Sequence, residues 1–227
     1  MIRLLEVIVT SSDEALAAED GGAGRLELVA DLARGGMTPP IPIAEAVLGR
    51  VRMPVRAMVR ETEAHCVEDA RIVARLAAQA GQLASLPLDG LVAGFVRDGA
   101  VDETLLTRVL DASRGNVTFH RAFEELEDDE AALAFLRTTR RVDRILTSGG
   151  PGSPDARLAA LSSLARRAAP EIIAIAGGGL TLDLIARLAA SSGEFEVHVG
   201  RLARAPQTVG GRVSAARVRE IARLAFA

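Results

Sequence analysis

The sequence predicts a single α/β domain over residues 1–227, a closed (β/α)8 barrel of the TIM type. Three observations carry that expectation. Eight short β-rich runs recur, their starts about 27 residues apart on average, which suits repeated βα units. Helical patterns fill the gaps between them. No linker or low-complexity stretch breaks the alternation, and eight uninterrupted units favour a closed parallel barrel over an open, doubly wound sheet.

The runs in order are LLEVIVT (4–10), RLELVA (25–30), PVRAMVR (54–60), LDGLVAGFV (88–96), NVTFHRAF (116–123), DRILTSG (143–149), EIIAIAG (171–177) and FEVHVG (195–200). The first is followed by SSDEALAAEDGGA, with Ser and Asp as capping candidates and Gly21-Gly22 as a stop. Residues 67–81 place Val67, Ile72, Val73, Leu76 and Ala80 near one face, and Gly81 is the expected stop. Residues 102–115 repeat the pattern. The segment EDDEAALAFLRTTR starts acidic and ends basic, as the helix dipole favours, so the acidic run Glu124–Glu130 reads as a solvated helix start. Helices are also expected over 154–169, 181–191 and 213–226.

Composition removes several function classes. The net charge of −3 advertises neither nucleic acid nor an anionic membrane, and neither is an expected partner. All 27 basic residues are Arg. Without Lys, neither a Schiff base nor a P-loop lysine is available. Trp and Tyr are absent, which removes the usual stacking platforms for single strands. The one cysteine, Cys66, excludes an internal disulfide. The apolar start is too short for a signal h-region, and no stretch approaches the roughly 20 apolar residues of a spanning helix. The expected location is the cytoplasm.

Strands of a parallel barrel are buried on both faces, so charges within them need an explanation. The first strand carries Glu6 and the second Glu27. The third carries Arg56, Met58 and Arg60 at period two, the fifth Thr118 and His120, and the eighth Glu196 and His198. One explanation is a layer of internal salt bridges, which demands excellent pairing. The other is a pocket at the barrel mouth. Arg60, His120 and His198 sit near strand C-termini, where barrel chemistry is found. Candidate catalytic residues are therefore Glu6, Glu27, Arg60, His120 and His198.

Glycine marks the same strand ends. The sixth run ends in Thr147-Ser148-Gly149-Gly150, the seventh in Gly177-Gly178-Gly179, and the eighth in Gly200-Arg201, with Arg204 close behind. Glycine lets backbone amides approach an anion, and the loops after strands seven and eight are the usual phosphate site of this fold. The candidate anion-binding set is Arg121, Ser148, Gly149, Gly177, Gly178, Gly179 and Arg201, with Thr181 as a possible cap of the next helix. Tight βα turns are the alternative role for these glycines.

The segments RLELVADLARGGMTPP (25–40), VTFHRAFEE (117–125), RILTSGG (144–150), IAGGGL (175–180) and EVHVG (196–200) together resemble the CutC family of copper homeostasis proteins. The resemblance spans nearly the whole chain. It implies a TIM-type barrel, a cytoplasmic homodimer and copper as the cargo. The copper expectation meets a departure. Many relatives carry cysteine where this chain has Val29, and relatives also place cysteines where it has Ile8 and Val9. Cu(I) favours soft sulfur ligands. The remaining weak metal candidates are His65 and Cys66.

Two functions stay open at this point. One is copper handling, as the family resemblance implies. The other is an enzyme or binder for a small anionic, phosphorylated metabolite, using proton transfer or a divalent metal held by Glu6, Glu27, His120 and His198. An interaction scaffold has no positive sign and would not need charges inside its barrel.

Overall fold

The computed structural model describes residues Met1–Ala227. Eight parallel strands close on themselves: β1 (Ile2–Val9), β2 (Arg25–Leu28), β3 (Val55–Met58), β4 (Gly90–Ala93), β5 (Asn116–Phe119), β6 (Val142–Thr147), β7 (Ile173–Ala176) and β8 (Phe195–Val199). Each is hydrogen-bonded to its sequence neighbours, and β8 pairs with β1 to seal the barrel. All eight predicted runs are strands. The sequence runs overshoot at their C-terminal ends, where the chain leaves the ladder and builds the mouth.

Eight helices form the outer ring: α1 (Ser12–Asp20), α2 (Ile41–Leu48), α3 (Ala70–Leu83), α4 (Glu103–Ala112), α5 (Asp129–Thr138), α6 (Pro154–Ala168), α7 (Leu182–Ala190) and α8 (Ala215–Ala225). Apolar side chains of strands and helices fuse into one continuous core between the two layers. Seven of the helices were expected. α2 was not: it is eight residues long, and Pro39, Pro40 and Pro42 mask it. Proline is compatible with a first helical turn, where no intrahelical donor is lost. Gly81 does not stop α3, which runs on to Leu83. Thr181 does cap α7, its side chain accepting from the Leu184 N–H at 3.2 Å.

The barrel interior is built in polar layers. In its lower half the Arg25 guanidinium joins Glu6 to Glu196. Arg144 meets Glu196 at 2.8 Å and also pairs with Asp143. Arg56 donates to Asp143 at 2.7 and 2.8 Å, to Asp89 at 2.8 Å and to Thr118 at 2.9 Å. Acids and bases alternate, so every buried guanidinium in this belt has a carboxylate. That is the condition under which ions can fill a barrel layer. Arg56 and Glu196 are thus structural.

Candidate functional site

Above the belt lies a cavity of about 870 Å3 at the C-terminal ends of the strands. Its wall includes Glu27 from β2, Arg60 beyond β3, His120 beyond β5 and His198 from β8. Arg121, Gly178, Gly179 and Arg201 also line it. Barrel geometry explains the convergence. Inward-facing positions on different strands meet at the axis, although residues 27 and 198 are far apart in sequence.

Glu6 lies just beneath the wall and is fully buried. It stands opposite His198 in the β1–β8 ladder, and His198 Nδ1 lies 2.7 Å from Glu6 Oε1. Burial pushes the Glu6 carboxyl up, but Arg25 and His198 outweigh it and hold the group well below the usual carboxylate range. Burial alone would lower His198; Glu27 and Glu6 reverse that and raise it. Glu6 on Nδ1 thus favours the protonated ring, and His198 Nε2 has no protein hydrogen-bond partner.

Glu27 behaves oppositely. Burial pushes its carboxyl up to about 7, with Glu6 adding to the effect and His198, Arg25 and Arg60 opposing it. Its Oε2 is buried without a hydrogen bond, 3.7 Å from His198 Nδ1. Two carboxyls share one site and are pushed apart, Glu6 ionised and Glu27 poised near neutrality. That split is how a protein keeps one acid as a fixed charge and another as a proton carrier.

His120 supplies a third kind of group. Its Nδ1 accepts the Ala122 N–H at 3.1 Å, so the neutral ring carries its proton on Nε2. Burial, then His65 and Arg60, drive its pKa well below the ordinary value, and it stays neutral. That Nε2–H is buried and unpaired. Gly94 makes room for the ring, since a Cβ there would lie 2.6 Å from His120 Nδ1.

The anion candidates divide. The Arg201 side chain is exposed and enters no ion pair or hydrogen bond, which leaves its fork free. Gly178 and Gly179 have positive φ, and a Cβ on Gly178 would strike Arg121 Nε at 2.9 Å. Ser148, Gly149 and Gly177 lie outside the wall with their amides already taken. Ser148 donates to Glu124 at 2.6 Å, Gly149 to Thr147 Oγ1 at 3.1 Å and Gly177 to the Thr147 carbonyl at 2.9 Å. Arg204 is buried against Glu14, away from the cavity. Arg60 donates to the carbonyls of Thr62, Glu63 and Gly35, so its charge is positioned without being neutralised.

Two acidic residues that the sequence assigns to a helix start join the wall. Glu124 and Glu125 belong to a 3-10 turn, Arg121–Glu125, that folds back over the mouth. Glu124 holds Arg121 in a two-point pair at 3.0 and 2.8 Å. Glu125 accepts from His65 Nδ1 at 2.6 Å. Only Asp128 onward belongs to the helix start, with Asp128 capping α5. The adjacent metal candidates also separate: His65 lines the cavity, its ring 4.8 Å from that of His120, whereas Cys66 is exposed outside it.

Ligand atoms of Glu6, Glu27 and His198 lie within 4.8 Å of one another. The set does not suit a divalent ion, however. Both Glu6 oxygens are engaged, by Arg25 and by His198, and the histidine nitrogen nearest both carboxylates is the one holding the Glu6 proton bridge.

Fold and site together define a TIM-type barrel with a polar, titratable pocket at the C-terminal ends of its strands. The chain belongs to the CutC family, whose model matches residues 3–202. It is 35% identical over 209 residues to a family protein CutC from Mesorhizobium japonicum, covering 91% of this chain and 80% of that one. It is 36% identical over 197 residues to the mouse copper homeostasis protein cutC homolog, covering 86% of this chain and 72% of the relative. A solved structure described as a copper homeostasis protein CutC, from Streptococcus agalactiae, superposes with a TM-score of 0.78. At 22% identity, and covering 88% of this chain and 98% of that one, it shows the shared fold.

Proposed function

We propose that this protein binds and acts on a small anionic, phosphate-bearing metabolite through lysine-independent acid–base chemistry. One observation carries the reading: Glu27 Oε2 and His120 Nε2, an acceptor and a donor at the wall of one cavity, are both buried without partners. An unsatisfied buried polar group costs about 1–3 kcal/mol, so two in the wall of one cavity favour a bound molecule that satisfies them. Glu27 acts as the base and His198, oriented by Glu6, as the acid. Arg201 and the Gly178-Gly179 turn receive the anion, where this fold places phosphates.

The names of the relatives point instead to copper homeostasis. The donor set argues against that for this chain. Cu(I) favours sulfur. The one cysteine is exposed outside the cavity, a single thioether, Met58, reaches the wall, and Ile8, Val9 and Val29 offer only hydrocarbon.

Thermal shift with phosphate, sulfate and a sugar phosphate tests the proposal, run on the parent and on Arg201→Ala. Stabilisation of the parent that is lost in the variant supports the cradle. An equal response in both, or none in either, refutes it.

A further inference from the structure

We infer, resting on the anion reading above, that the pocket catalyses a proton shift next to a carbonyl in a phosphorylated hydroxy-aldehyde or hydroxy-ketone, with Glu27 as the base and with His120 and His198 holding the carbonyl oxygen.

The geometry selects this reaction class in three steps. First, the unpartnered atoms comprise one carboxylate oxygen and N–H donors from two imidazoles, around one space. A carbon acid needs that set: a base for the C–H and donors for the oxygen on which charge develops. Second, the two donors differ in kind. His120 is held as a neutral Nε2–H donor by the Ala122 amide, whereas the Glu6 carboxylate on His198 Nδ1 favours protonation of that ring. A neutral imidazole stabilises an enediolate by hydrogen bonding, and an imidazolium can hand over a proton. Third, imine chemistry is closed to a chain without lysine. Oxyanion stabilisation then falls to hydrogen-bond donors such as these two imidazoles.

The step balances without a co-reactant. The Glu27 carboxylate removes the proton from the carbon adjacent to the carbonyl. That C–H pair becomes the new C=C bond while the carbonyl π pair moves to oxygen, which takes the proton from His198 Nε2. In the resulting enediol, the hydroxyl oxygen of the carbon that lost its proton returns a proton to His198. Its electron pair forms the new C=O bond, and the C=C pair takes the proton from the Glu27 carboxylic acid at the former carbonyl carbon. One carbon is oxidised and its neighbour reduced, so the net change is isomerisation. Arg201 and the Gly178-Gly179 turn, in the wall of the same cavity, hold the phosphate, and at about 870 Å3 there is room for a chain of three to six carbons.

The test uses the whole protein in D2O with four probes: glyceraldehyde 3-phosphate, ribose 5-phosphate, ribulose 5-phosphate and fructose 6-phosphate. Proton NMR follows loss of the C–H signal next to the carbonyl, and phosphorus NMR follows the phosphate. The expected result is enzyme-dependent deuterium incorporation into at least one probe. It should fall at least 100-fold in Glu27→Gln, while that variant keeps the parent's thermal response to the same probe. Stabilisation by a probe with no deuterium incorporation into any of the four overturns the carbon-acid assignment and leaves anion binding standing. Release of inorganic phosphate in place of exchange also overturns it. Absence of both stabilisation and exchange removes the anion reading itself. If Glu27→Gln proves unstable, Glu27→Asp serves: the base withdraws by one methylene, and exchange should drop at least 10-fold.

Discussion

Glu6 and His198 face each other across the seam that closes the barrel, with His198 Nδ1 2.7 Å from Glu6 Oε1 and both side chains buried. This contact decides what His198 offers the cavity. Glu6 is held by Arg25 from one side and gives its other oxygen to the imidazole, which favours a proton on Nδ1. The charged belt below is therefore more than filling: through Arg25 and Glu6 it sets the protonation of a residue in the wall.

The first prediction follows from that coupling. In the parent, His198 titrates above the ordinary 6.5, because two carboxylates overcome its burial. Glu6→Gln removes the nearer of them, and the His198 pKa should fall. Histidine NMR titration reads this directly, and the chain has only three histidines to assign. An unmoved His198 would show that Glu6 does not hold its proton.

Glu27 makes a prediction about stability. Its folded pKa of about 7 lies above the ordinary 4.5, so the folded state retains a proton that the unfolded chain gives up. Stability on this account falls as pH rises between those two values and stays low above them. Glu27→Gln removes the effect. The variant should match the parent near pH 4 and exceed it at pH 8 by about 1–3 kcal/mol, while losing function. Urea denaturation at both pH values measures the gap; a variant less stable than the parent at pH 8 contradicts the assignment.

The belt itself should respond differently from the wall. Arg56 is almost fully buried and answers two carboxylates, Asp89 and Asp143. Arg56→Met strands both, and a broken buried pair costs about 3–5 kcal/mol; the partial exposure of these partners favours the lower end. The anion-dependent thermal shift should survive in the folded fraction. A variant with parental stability would mean that the belt carries no structural weight.

What could be read from the sequence, and what could not, follows from the range of the interactions involved. Charges at period two inside apolar runs revealed Glu27, His198 and the interior face, because facing along a strand is local. Arg60 and His120 were legible as polar residues at strand ends. The run from Glu124 to Glu130 looked like one acidic helix start, yet a 3-10 turn sends Glu124 and Glu125 over the mouth and leaves Asp128 as the cap. Nothing local separates the two halves. The glycines posed the same difficulty. Gly177 and Gly178 are alike in sequence, but the Gly177 amide is consumed by the neighbouring strand's Thr147 carbonyl, a contact set by tertiary register.

Copper gives a prediction that separates family name from donor set. With its one thiol exposed outside the cavity, the protein should compete poorly for Cu(I) against a chelator, and Cys66→Ser should change little. Tight one-to-one binding that vanishes in Cys66→Ser would overturn this.

Gly94→Ala tests whether the His120 position matters to more than packing. Gly94 sits just past β4, and a methyl there would lie 2.6 Å from His120 Nδ1, 2.8 Å from its Cε1 and 3.1 Å from the Ala122 Cβ. The ring has to yield, since the other contact is a methyl anchored on the backbone. Two effects should follow together. Overpacking should destabilise the protein by about 1–3 kcal/mol. Displacement of the ring should also break the Ala122 N–H bond to Nδ1, which fixes the proton on Nε2, and so release the tautomer. Nitrogen-15 shifts of His120 would show that release, with deuterium exchange into the probe falling in parallel. Gly210→Ala is the matched control, because a methyl there meets nothing within 4 Å and no positive φ strains it. It should be neutral or stabilising by up to about 1 kcal/mol. If Gly94→Ala leaves both the His120 shifts and the exchange rate at parental values, the neutral donor assigned to His120 has no part in the chemistry.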